Sequence, residues 1–212
     1  KKYSNASHFA DVLAAASANS NTNVAMLGES FKYAAPVAGS LGYSVEDTAI
    51  ALGLMASSGL KSSMAGSSLR TILTNLAKPT DDISDAMDYL GISLQNGDGS
   101  MKSLMDIVTD LRGAFGQCKM PMDQFQENLA KLDEKYANGE LTEKKYNEAL
   151  ADLTEKAYGA EGALKAKYAA TLAGKEGMSG LLSIVSAAPE DFDKLTNAIY
   201  NSDGSSQRNG QK

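Results

Sequence analysis

Few side chains in this sequence have the type and spacing for chemistry. His8 is the single histidine of the 212 residues. A Ser/His/Asp triad would need it as the base, in hydrogen-bond reach of a nucleophile and an orienting carboxylate. No nucleophile motif accompanies it, so it reads as a helix-start residue. The single cysteine, Cys118, has no partner for an internal disulfide or for a cysteine-based zinc site. Its neighbour Lys119 could lower its pKa slightly, but at a helix end it reads as incidental. Asn96-Gly97-Asp98-Gly99-Ser100 looks like half of a calcium loop. Counted from Asn96, however, position 12 is Ile107, where such a loop needs a bidentate Glu, and position 6 is Met101 instead of Gly. The segment is a turn.

No nucleotide-binding motif is present, because the glycines lack the phosphate-cradling lysine and the strand–turn–helix setting. Carboxylates are dense between 119 and 158, but they alternate with lysines, which is the pattern of a solvated helix face. These residues suggest no catalytic group, metal ligand or cofactor. A net charge of −6 gives no electrostatic footprint for a phosphate backbone, so specific nucleic-acid binding is not expected. The chain opens KKYSNASHF without a start methionine and reads as a piece of a longer protein.

The elements that would position any site are helical almost throughout. Ser7–Ser20 carries Phe9, Leu13 and Ala16 on one face. Asn21 or Thr22 is placed to cap a second helix through Val24, Leu27, Phe31 and Ala34, which Pro36 should end or kink. Ser44 is an N-cap with Glu46 and Asp47 in the first turn, where the helix dipole favours negative charge. That helix runs to a stop at Gly59. Ser62 or Ser63 opens the next, closed before Lys78-Pro79. Asp82–Leu90 ends at Gly91, Ile92–Leu94 alternates like a short extended piece, and Ser103–Gln117 follows. Ala160–Ala173, Met178–Ala187 and Pro189–Tyr200 complete the series. The expected fold is all-α: a bundle of short to medium Ala/Gly-rich helices.

Composition changes between Lys119 and Tyr158, DQFQENLAKLDEKYANGELTEKKYNEALADLTEKAY, where alanines thin out and charges crowd in. Two apolar stripes flank the turn Asn138-Gly139, one with Leu129, Leu132 and Tyr136, the other with Leu141, Tyr146, Leu150 and Leu153. This predicts an inserted αα-hairpin with exposed outer faces. The expected organisation is 1–118 as the N-terminal part of a core, 119–158 as the hairpin, 159–200 as the core's C-terminal part, and 201–212 as a polar disordered tail.

From Gly42 to Leu73 the chain reads GYSVEDTAIALGLMASSGLKSSMAGSSLRTIL. Gly53, Ala56, Gly59, Ala65 and Gly66 leave little between backbones. Glycine in a helix costs about 1 kcal/mol relative to Ala, so these positions mark a candidate face for close helix packing or for self-association. The apolar run Thr48–Leu60 also raises a membrane-active alternative, a pore or injection component, although it is shorter than a spanning helix requires.

YAAPVAGSLGYSVEDTAIALGLMASSGLKSSMAGSSLRTILTNLAKPT resembles the core region of phage tail tape measure proteins of the lactococcal-phage type. HFADVLAAASANSNTNVAMLGESFKYAAPVA, LGISLQNGDGSMKSLMDIVTDLRGAF and GKEGMSGLLSIVSAAPEDFDKLTNAI fit the same family in the same order. The charged hairpin departs from it, since many members pass almost directly from the Ala114-Phe115 region to the Gly174-Lys175 block. The resemblance implies a non-enzymatic, mostly helical protein in the lumen of the virion tail, assembled in the host bacterial cytoplasm, that sets tail length and organises the tube. It implies self-association and contacts with tail tube, tail tip and tail assembly chaperone proteins. Membrane contact would belong to the parent protein alone. It transfers no catalytic residue.

Overall fold

The computed structural model describes residues 2–116, 120, 122–159 and 162–202, which form ten helices. The helices are α1 (Lys2–Asn19), α2 (Val24–Ser40), α3 (Val45–Ser57), α4 (Ser62–Ala77), α5 (Asp81–Leu90), α6 (Leu104–Phe115), α7 (Met122–Ala137), α8 (Glu143–Tyr158), α9 (Gly162–Ser186) and α10 (Pro189–Tyr200). The expected all-α bundle is borne out. Cys118 and the tail from 203 lie outside the described residues.

Helix α3 is the hub. Every residue from Asp47 to Ala56 is buried, and the helix packs against α1, α2, α4, α6, α9 and α10. A helix that is apolar all round must be covered all round, and its small side chains let six neighbours approach it. Ser44 caps its start by accepting the Asp47 N–H at 3.0 Å. Gly59 (φ +93°) ends it, with the Leu60 N–H returning to the Met55 carbonyl at 2.9 Å, as in a glycine-terminated helix. The run that suggested membrane insertion is thus the central core helix. Among the described residues no helix is long and apolar enough to cross a membrane.

Three local expectations differ from the structure. Pro36 does not end α2, which continues to Ser40. Proline frees the carbonyl one turn earlier, here that of Lys32, and both residues are exposed, so water can take the lost bond. The cap of α2 is neither Asn21 nor Thr22 but Asn23, whose side chain accepts the Met26 N–H at 2.9 Å. At α4 the expected start at Ser62 is borne out, although Ser62 has φ +57° and Lys61, in the cap position, makes no side-chain capping bond. The Ser62 carbonyl instead accepts the Ser30 hydroxyl of α2 at 2.7 Å, a tertiary contact that holds the turn. Ile92–Leu94 is not a strand. An isolated antiparallel bridge joins Gln95 to Met101 around the 96–100 turn.

Helices α7 and α8 form the expected hairpin, and its inner stripe is part of the common core. Phe125, Leu129, Leu132, Leu150 and Leu153 are buried. Helix α9 carries a break at Gly174 (φ +64°, ψ 179°) where two helical segments meet.

Candidate functional site

The candidate face divides between interior and surface. Gly53, Ala56, Ala65 and Gly66 are buried within the chain, whereas Gly59 is exposed at the end of α3. What the small residues meet is specific. A Cβ on Gly66 would lie 2.2 Å from the Ser30 carbonyl oxygen and 2.9 Å from the Tyr33 Cβ. The α2 backbone therefore rests directly on α4. A Cβ on Gly53 would meet Leu195 Cδ2 of α10 at 2.8 Å.

A second contact of the same kind joins α4 to α9. A Cβ on Gly180 would lie 2.7 Å from Ser68 Cβ and 2.9 Å from Met55 Cε, and one on Gly177 would lie 3.1 Å from Ile72 Cγ1. Ser68 donates its hydroxyl to the Glu176 carbonyl at 2.5 Å, and Asn75 donates to the Leu172 carbonyl at 2.9 Å. These two carbonyls flank the break at Gly174. Asn75 thus supplies a donor to Leu172, whose helical partner lies beyond the break, and Ser68 pins the turn that follows it. The α9 glycines were not singled out from the sequence, although they carry the same signal: GMSGLL places two glycines three residues apart on an apolar helix.

Two polar residues whose tertiary contacts the sequence did not reveal fasten the helices. Arg112 of α6 donates to the Ile184 and Ala187 carbonyls, each at 2.7 Å, and its guanidinium lies 4.5 Å from the Phe192 ring centroid. It thereby closes the C-terminus of α9 and bears on α10. Asp47, read from the sequence as a first-turn carboxylate, is 4% exposed and accepts the Tyr200 hydroxyl and, at 3.3 Å, the Met105 N–H. Burial, and then the Asp47 bond, push the Tyr200 phenol well above its ordinary value. His8 sits within α1, not at its start, with Nε2 2.6 Å from Glu46 Oε1.

A groove of about 470 Å³ opens between α4, the hairpin and α9, lined by Met64, Ser67, Arg70, Asp133, Tyr136 and Lys175 among others. The polar groups that the hairpin and α9 bring to it are bonded across the seam. Asp133 accepts Tyr146 at 2.7 Å and Ser179 at 2.6 Å, while Lys175 donates to Tyr136 at 2.6 Å. They hold the hairpin against α9 and do not converge on an empty point, as a catalytic site requires. The 96–100 turn is closed in the same way: Ser100 donates its N–H and its hydroxyl to Asp98 Oδ1 at 2.9 and 2.6 Å. Those donors hold the Asp98 carboxyl below its usual range. Among the described residues no cluster of three or more His, Cys, Asp or Glu could hold a metal ion.

Among the described residues, the small and polar side chains named above serve the packing of one helix on another. Residues 1–132 match the phage-related minor tail protein family, and the chain belongs to that family. Over 202 residues, 95% of the chain, it is 35% identical to the tape measure protein of Pneumococcus phage Dp-1, of which it covers 14%. Over 122 residues, 58% of the chain, it is 28% identical to the probable tape measure protein of Escherichia phage P2, of which it covers 15%. The resemblance to tape measure proteins is borne out. The chain spans about one-seventh of the length of these relatives. No solved structure matches it.

Proposed function

We propose that this chain is a non-enzymatic structural module of a phage or prophage tail tape measure protein. The observation that carries the reading is identity spread over 95% of the chain to a relative named for that role. In this reading the parent protein lies in the tail lumen after assembly in the bacterial cytoplasm. It helps set tail length and organises the tube through contacts with further copies of itself and with tube, tip and assembly-chaperone proteins. Gly53, Ala56, Ala65 and Gly66 serve packing within the module, and self-association uses other surfaces. In this reading 119–158 is a hairpin added to a core made of 1–118 and 159–200.

In-frame deletion of this segment from a phage that carries it should abolish tails or derange their assembly. Normal tails, shortened only in proportion to the residues removed, would reduce the segment to ruler length and sink the assembly role.

A further inference from the structure

Helices α1, α3 and α10 pack on one another, and their side chains fix how each one runs. At the start of α3, Glu46 contacts His8 of α1 at 2.6 Å, and the next residue, Asp47, accepts the hydroxyl of Tyr200 at the end of α10. Further along α3, a Cβ on Gly53 would meet both Leu195, in mid-α10, and Ser20, just past the end of α1. Helix α1 therefore runs parallel to α3, and α10 runs antiparallel to it. The early turns of the first helix and the last turn of the final helix reach the same pole of the molecule, on consecutive residues.

From this geometry we infer that the module is folded back on itself and adds almost nothing to the length of the ruler that contains it. The inference rests on the tape measure reading. A continuous helix from residue 8 to residue 200 would rise about 290 Å at 1.5 Å per residue. Here those two residues belong to helices in direct contact, and packed helices lie about 8–10 Å apart. A 200-residue segment thus gives back to the chain a span of one or two helix widths. The module is a knob beside the measuring path, and tail length is counted by other parts of the parent.

Two measurements test this. In the chain with Cys118→Ser, spin labels at Ser7→Cys and Asn201→Cys should lie roughly 20–25 Å apart, two helix diameters; a separation beyond twice that overturns the inference. In a phage carrying the parent, tandem duplication of the module should leave tail length unchanged. Tails longer by about 290 Å overturn it, and so does failure to form tails, since a knob outside the measuring path tolerates repetition. Duplicating an equally long helical stretch elsewhere in the parent keeps the two readings apart. If that also leaves length unchanged, the tape measure reading fails and the convergence of α1 and α10 stands.

Discussion

Gly66 of α4 lies so close to Ser30 of α2 that a methyl group on it would come within 2.2 Å of the Ser30 carbonyl oxygen. Backbone cannot move aside as a side-chain tip can, so the two helices are set at a distance only glycine allows. Gly66→Ala is expected to destabilise the fold by about 3 kcal/mol, at the upper end of overpacking costs. Gly28→Ala is the control: no atom lies within 4 Å of its Cβ position, and α2 should gain about 0.5–1 kcal/mol. Chemical denaturation of both variants checks the pair, and equal effects would remove the packing explanation.

The glycines should also rank by what they touch. At Gly180 the obstacle includes Ser68 Cβ at 2.7 Å, close to the backbone, whereas at Gly53 it is the flexible end of Leu195 at 2.8 Å. Gly180→Ala should therefore destabilise more than Gly53→Ala, where Leu195 can rotate and leave a loss of about 1 kcal/mol or less. The order of unfolding midpoints for Gly66, Gly180 and Gly53 variants is the readout.

Arg112→Lys keeps the charge but replaces a planar fork by a single ammonium. The Arg112 bonds to Ile184 and Ala187 need two donors, so the lysine variant should lose about 1.5–3 kcal/mol, the range for a charged hydrogen bond. Hydrogen exchange should quicken first at the C-terminus of α9 and in α10. Uniform loss of protection across all ten helices would contradict this placement.

Alkali should reveal two tyrosines. Tyr146 and Tyr200 are both raised well above the ordinary value, first by burial and then by their bonds to Asp133 and Asp47. Each phenol holds its proton more tightly in the folded than in the unfolded state. Their contribution to stability is thus fully present below about pH 10, the unfolded tyrosine value, and is lost as pH rises above it. Titration of phenolate absorbance alongside circular dichroism should show these two ionising only as helicity is lost. In the Tyr146→Phe/Tyr200→Phe double variant that late component should shrink by two tyrosines.

Much of the fold was legible because local rules agreed with the final structure. Ser44 with Glu46 and Asp47, Gly59, Gly91 and the Pro189 start all mark helix ends by capping or dipole chemistry that needs no tertiary partner. The exceptions have tertiary or solvent causes. Pro36 is tolerated because its turn faces water, and Ser62 holds a left-handed conformation while Ser30 bonds its carbonyl.

By itself the sequence determined the helices, the charged hairpin and the kinship with tape measure proteins, because periodicity, capping residues and long motifs are all local in the chain. Small residues at Gly53 and Gly66 announced close approach, but not its partner. Only the tertiary structure decided that α3 is enclosed by six helices, that Gly66 meets Ser30, and that Arg112 closes α9. It alone brought His8 and Tyr200 to neighbouring residues of α3, contacts made across 38 and 153 positions of sequence. A spacing that long carries no periodic signal, because which helix meets which depends on shape complementarity over the whole core.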